Sequence, residues 1–201
     1  MKKKDFSAIQ WPTIEQLEAE LRRERKTRGR RFFLKGLCWI LTIAVLAAVA
    51  AAFVLTPVLH INGDSMAPAL TDSDIVIAYT QSEIRHGHVI AFYYNNKLLV
   101  KRVIALGGDE VNIDLLGNVS VNGERLDEPY VSNRAQGDCD IKFPYKVPNG
   151  YVFVMGDKRA DSLDSRSTAI GCVAGEQIFG RVFAQLWPPE EIRWVGDPIF
   201  D

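Results

Sequence analysis

An uncharged run of 24 residues, Gly36 to Leu59, constrains this chain more than any other feature. From Leu37 to Leu55 it is apolar except for Thr42. At about 1.5 Å of rise per residue, roughly 20 apolar residues cross the hydrocarbon core of a bilayer, so the run predicts a transmembrane helix. Trp39 near one end suits a membrane–water interface, and Pro57 near the other marks a helix stop. Two other readings compete. A helix buried in a soluble core would keep some polar face, which is missing here. A cleaved secretory signal would explain Ala50-Ala51-Ala52, but 35 residues precede the run and it exceeds the usual ~7–15 apolar positions. A retained anchor is the expectation.

The charges on either side give the anchor a direction. Residues 1–35 hold eleven Lys/Arg and five Asp/Glu (+6), and the rest of the chain holds thirteen and twenty (−7), so the net charge of −1 averages a basic head and an acidic body. No Lys or Arg falls between Lys35 and Arg85. The excess of positive charge on the cytoplasmic side of membrane proteins places the amino terminus in the cytoplasm and residues beyond about 60 outside. Three parts follow: a basic arm (1–35), the span (36–59) and an extracytoplasmic domain (60–201). Within the arm, Thr13–Arg31 predicts a polar, charge-laced helix with Pro12 in its first turn. The acidic body argues against a nucleic-acid partner, which would need a concentrated cationic surface. The bilayer itself is the expected partner.

Beyond residue 60 the pattern is short apolar runs divided by turn residues: Ile75–Tyr79, Val89–Tyr94, Leu98–Leu106, Val119–Val121, Tyr151–Met155 and Arg181–Trp187. Asn95-Asn96 and Asn122-Gly123 are hairpin signals. The fold class expected is mainly β, an antiparallel β-sheet domain behind a single N-terminal transmembrane helix. Ser132–Val147 is expected as a long surface loop. Cys139 and Cys172 lie on the oxidising side, and whether they pair is left open. His60, His86 and His88 show no metal-ligand companion set; His86-Gly87-His88 could seat a metal weakly, but strand or loop histidines are the preferred reading, and no cofactor is expected.

Three stretches carry chemistry. Asn62-Gly63-Asp64-Ser65-Met66-Ala67-Pro68-Ala69-Leu70 presents a serine in a turn. Leu98–Leu106 sets Lys101 inside an aliphatic strand, where burial penalises the ammonium form. To act as a base near neutral pH such an amine must fall about 2–3 units from ~10.4. It could then take the serine proton, as histidine does in the better-known triad. Alternation along a strand puts Lys101 and Arg102 on opposite faces, one buried and the other exposed or paired. The third stretch, Gly156–Arg166, is dense in Gly, Asp and Ser and predicts a rigid hydrogen-bonded loop after a strand. An edge-strand lysine and solvated polar loops are the bland alternatives.

Together the three stretches resemble the bacterial type I signal peptidases, membrane-anchored Ser/Lys endopeptidases. The nucleophile motif Ser-Met-x-Pro-Thr-Leu is matched by Ser65–Leu70, and the base motif Lys-Arg-Val-Ile-Gly-Leu-Pro-Gly-Asp by Lys101–Asp109. The third signature, Gly-Asp-Asn-Arg-x-Asn-Ser-x-Asp-Ser-Arg, is matched by Gly156–Arg166. Val121–Tyr130 and Gly180-Arg181-Val182 also look familiar.

The resemblance implies Ser65 as nucleophile, Lys101 as general base and Ser162 as the hydroxyl that orients the amine. It implies an Asp164–Arg166 ion pair bracing the loop, with Asp157 and Arg159 in support. The backbone N–H of Ser65 would serve the oxyanion, with Gly63 where some relatives add a serine hydroxyl. Met66 and Pro68 are expected to meet substrate or membrane. The substrates implied are secretory precursors, cut after small residues to release their signal peptides, at the plasma membrane of a bacterium and by a monomer. The chain departs from the motifs at Ala69, Gly107, Lys158, Asp161, His88 and Ser73. Asp161 would raise the pKa of Lys101 unless it points outward. The alternatives are a catalytically silent anchored binding or scaffold module of the same fold, a self-cleaving repressor-like protein, which the span opposes, and a sortase-like transpeptidase, for which Cys172 lacks a setting.

Overall fold

The computed structural model describes residues 13–80 and 82–195, in two compact units dividing near Ala52. In the first, the helix α1 (Ile14–Leu55) runs unbroken through the predicted polar helix and most of the predicted span. Thr13 caps it: its carbonyl accepts the N–H of Leu17 at 3.1 Å, and its own N–H donates to Gln16 Oε1 at 3.2 Å. Pro12 lies outside the described residues. The segment Phe32–Ala52 is long and apolar enough to cross a membrane, and none of its 18-residue apolar window is buried inside the protein. Thr42 Oγ1 donates to the Cys38 carbonyl at 2.9 Å, so the one hydroxyl of the run is satisfied within the helix. The helix stops at Leu55, two residues before Pro57. Val58 and Leu59, placed by sequence at the end of the span, belong instead to a strand.

The second unit is antiparallel β. Its strands are β1 (Val58–His60), β2 (Ile75–Tyr79), β3 (Val89–Tyr94), β4 (Lys97–Leu106), β5 (Glu110–Ile113), β6 (Val119–Val121), β7 (Glu124–Arg125), β8 (Tyr145–Lys146), β9 (Tyr151–Met155), β10 (Val173–Ala174), β11 (Ile178–Trp187) and β12 (Arg193–Trp194). The larger sheet has the order β1-β2-β11-β3-β4-β9-β10, with β12 added to β11, and the smaller one β7-β6-β5-β8. All six runs expected from sequence are strands, although β11 begins three residues earlier than predicted. The 132–147 segment is largely loop, but its end forms β8 against β5. Asn95 and Asn96 (φ 47° and 60°) close the β3–β4 hairpin, and Asn122 and Gly123 (φ 53° and 84°) close β6–β7. Paired positive φ values suit the right-handed twist of such hairpins.

Three apolar clusters fill the domain. One joins the two sheets through Ile104, Val111, Val121 and Phe153. A second gathers Met66, Leu70, Val76, Val89 and Val182. The third holds Ile90, Phe92, Val103 and Val154. The sheet is therefore covered on both sides around β4, and Lys101 and Arg102 are both only 4% exposed. Alternation does send them to opposite sides, but neither side is solvent.

Candidate active site

The turn that follows β1 carries Ser65, and β4 carries Lys101, 36 positions later. The fold brings Lys101 Nζ to 2.6 Å from Ser65 Oγ. The Ser65 turn is fixed by its own sequence: Asp72 Oδ1 accepts the N–H of Gly63 at 2.7 Å, and Asp64 Oδ1 accepts that of Asp72 at 3.1 Å. Burial lowers the pKa of the Lys101 amine below its ordinary 10.5, while Asp164 and Asp157 pull it upward and Arg166 pushes it down.

The loop after β9 closes over this pair. Gly156 sits where no side chain fits: a β-carbon there would collide with Ser162 Oγ and come within 2.5 Å of the Ser65 carbonyl oxygen. That carbonyl accepts the N–H of Lys158 at 3.1 Å, stitching the loop to the serine turn. Asp164 and Arg166 form the expected pair, with Nε to Oδ1 and Nη2 to Oδ2 both 2.8 Å, and Asp164 Oδ2 also accepts the N–H of Gly156 at 2.9 Å. Arg166 Nη1 binds the carbonyls of Gln136 (2.7 Å) and Arg159 (2.8 Å), so a single guanidinium ties the 132–144 loop to this one. Asp161 points outward, 66% exposed and 3.0 Å from Lys158 Nζ, which removes the conflict with Lys101 that the sequence raised.

Asp157 and Arg159 do support the loop, through partners the sequence did not assign. Asp157 takes a two-point bond from Arg102 (2.8 and 2.6 Å), whose Nη1 also reaches the Gly87 carbonyl at 2.9 Å. The Arg102 guanidinium stacks 3.9 Å above the Tyr130 ring. Arg159 grips both carboxylate oxygens of Glu128 and reaches the Gly156 carbonyl at 3.2 Å. The Val121–Tyr130 segment was noticed in the sequence, but no local signal ties Glu128 to an arginine 31 positions away.

Ser162 is brought beside Gly156 and is 6% exposed, yet its hydroxyl has no hydrogen-bond partner among the described residues. The expected bond to the Lys101 amine is not formed. The N–H of Ser65 likewise meets no protein acceptor among the described residues, which suits an oxyanion donor. Met66, expected to be exposed, is instead 1% exposed and packs with Leu70, Val76 and Val182, so it turns into the core and does not face lipid. The turn folds back onto the sheet there, with the N–H of Leu70 bonded to the Met66 carbonyl at 2.9 Å. Pro68 is exposed.

His88 is buried, and that burial lowers its pKa to about 4, with Arg181 and Arg85 adding to the effect. Its Nδ1 accepts the N–H of Arg85 at 3.1 Å. Ser73, at a position where the motif has glycine, adopts φ 71°. Cys139 and Cys172 are not disulfide-bonded.

β4 offers one more feature. Its Lys97–Arg102 half pairs fully with β3, but β9 pairs with β4 only from Arg102 to Leu106. The β9-side edge of Lys97–Lys101 therefore has no strand partner among the described residues and leads to the Ser65–Lys101 contact.

Residues 33–187 match the family described as Signal peptidase, peptidase S26. A signal peptidase IB of Staphylococcus aureus strain MRSA252 is 34% identical over 183 residues, 80% of this chain and 94% of that protein. A signal peptidase I of Bacillus caldolyticus is 34% identical over 184 residues, 83% of this chain and 94% of that protein. A crystal structure of a signal peptidase I from Enterococcus faecalis V583 aligns with 27% identity and a TM-score of 0.43, over 50% of this chain and 97% of that one. With more than three quarters of its length inside the family match, and with a hydroxyl and a buried amine in contact where the motifs fall, the chain belongs to the signal peptidase family, peptidase S26, whose members are serine endopeptidases that remove signal peptides from exported proteins.

Proposed function

We propose that Ser65 and Lys101 are the nucleophile and general base of this peptidase. The observation that carries the proposal is the 2.6 Å contact between Ser65 Oγ and a buried lysine whose pKa is lowered. The neutral amine takes the Ser65 proton as Oγ attacks the scissile carbonyl. The Ser65 N–H donates to the oxyanion that develops. As the intermediate collapses, Lys101 returns its proton to the departing amine, which is the new amino terminus of the mature protein. Lys101 then takes a proton from water as it attacks the acyl-enzyme, and returns that proton to Ser65 Oγ as the ester bond breaks. Ser162 keeps its assignment as orienting hydroxyl, because it is buried beside the dyad and has no competing partner among the described residues.

The substrate is an exported precursor in extended form, added as a strand to the free edge of β4 at Lys97–Lys101, with its scissile bond at Ser65. Small side chains around the cut suit the tight surroundings of Gly156. The helix holds the enzyme in the bacterial plasma membrane with its amino terminus in the cytoplasm and the β domain outside, a reading supported by the charge asymmetry. Trp187, Ile192 and Trp194, all more than half exposed, take over the lipid-facing part that Met66 does not play. The dyad lies within one chain, so a monomer suffices.

The test is cleavage of an Ala-x-Ala-bearing precursor by the full-length protein in detergent or vesicles. Ser65→Ala is expected to abolish turnover. In the wild type, kcat should rise with pH along a limb whose apparent pKa lies below the ordinary 10.5, because deprotonation of Lys101 creates the base. Retained cleavage by Ser65→Ala would refute the assignment, and a folded but inactive wild type would favour the silent module.

A further inference from the structure

We infer that Arg193, which lies beyond the segment matched by the family, is a positioning residue that clamps the Ser65 turn from its far end. It stands on β12, opposite Gln185 of β11. Its Nη2 donates to two consecutive carbonyls of the turn, Pro68 at 3.2 Å and Ala69 at 2.8 Å. Its Nε donates to Gln185 Oε1 at 3.0 Å. Gln185 is fully buried and its Nε2 reaches the Trp187 carbonyl at 3.3 Å, so the amide is held and aims the guanidinium in turn.

Apolar packing continues the clamp. Val195, two residues on, is 5% exposed and sits in the same cluster as Met66 and Leu70, and its N–H bonds to the Phe183 carbonyl at 2.8 Å. Ser65 is thus held at one end of the turn by Lys158, through its own carbonyl, and at the other by Arg193, through the carbonyls three and four residues on. A guanidinium suits this task because its planar fork keeps a fixed charge and presents several donors from one rigid group. The clamp touches neither reacting atom. Displacement of a nucleophile by ~1 Å can cost about 10²-fold in rate, which is the scale on which such a clamp matters.

The inference rests on the reading of Ser65 as nucleophile. The test compares the full-length wild type with Arg193→Ala and Arg193→Lys on the same precursor, with folded fraction measured alongside. For Arg193→Ala we expect kcat to fall roughly 10- to 100-fold with KM within about twofold. Acylation of Ser65 by a serine-directed fluorophosphonate should slow by the same factor. Guanidinium chloride at a few tens of millimolar should restore part of the rate, and Arg193→Lys should retain more of it. A kcat within twofold of wild type, or a loss that follows the folded fraction and ignores guanidinium, overturns the inference. Should Arg193→Ala not fold, Gln185→Met carries the same test: a lowered kcat in folded protein supports it, and an unchanged kcat overturns it. Failure of the underlying reading is separately visible, since Ser65→Ala would then still cleave and the probe would not label Ser65 in the wild type.

Discussion

The two sides of β4 receive adjacent cations, each 4% exposed, and treat them oppositely. On one side Arg102 meets Asp157 through two bonds, the Gly87 carbonyl and the face of Tyr130, within a cluster completed by Glu128 and Arg159. On the other, Lys101 meets a serine hydroxyl, and burial drives its pKa down. Strand register puts His88, opposite Val103, on that same side, where burial again lowers the pKa of a base. Equal burial therefore yields a paired ion on one side and bases of lowered pKa on the other. Counter-charges in contact decide the outcome, because a buried cation is tolerated only when its loss of hydration is replaced. Arginine, which stays charged, is suited to the first environment, and lysine, whose pKa shifts readily, to the second.

Lys101→Met should break the reactive side with the largest effect. Cleavage should fall roughly 10³-fold or more in the precursor assay. The same variant should resist urea better than wild type near neutral pH. A lysine whose folded pKa is lowered costs stability below that pKa, and the cost is recovered as pH rises toward the unfolded value of 10.5. The wild type should therefore gain stability with pH across that window and the variant should not.

Arg102→Met tests the structural side. It leaves Asp157 buried without its partner, and should cost about 3–5 kcal/mol in urea unfolding. Replacing both, Arg102→Met with Asp157→Leu, should recover much of that stability, since a buried ion pair contributes little net stability over apolar packing. Recovery of stability without recovery of rate would sharpen the contrast, because Asp157 also bears on Lys101.

His88→Asn should have the smallest effect. The folded pKa of about 4 lies below the unfolded 6.5, so the unfolded chain binds the extra proton between those values. Wild-type stability should decline as pH falls through that window, and His88→Asn should flatten the decline while leaving cleavage near its original rate. A slope unchanged by the substitution would place the acid sensitivity elsewhere.

Much of this architecture was legible in the chain. The six main strands announce themselves as short apolar runs, and Asn95-Asn96 and Asn122-Gly123 mark their turns because asparagine and glycine tolerate left-handed backbone. The short strands β1, β5, β7, β8, β10 and β12 escaped notice: two to four residues hold little or no period, and such strands depend on a neighbour that offers an edge. Met66 misled because its place beside Ser65 says nothing of the direction its side chain takes. Arg193 and Glu128 carry no local signature at all, since Arg193 donates to carbonyls, and Glu128 accepts from a guanidinium, far away in sequence.

The order of residues alone marked which segment is long and apolar enough to span a bilayer, how unevenly charge is divided on its two sides, and which hydroxyl and amine match the family motifs. Those properties follow from composition and short spacing, which survive without folding. Only the tertiary structure decided that Lys101 loses its water while Arg102 keeps a counter-ion, that Asp161 turns outward, and that Arg193 reaches the serine turn. Desolvation and ion pairing depend on which surfaces close over a side chain, and that is settled when distant strands meet.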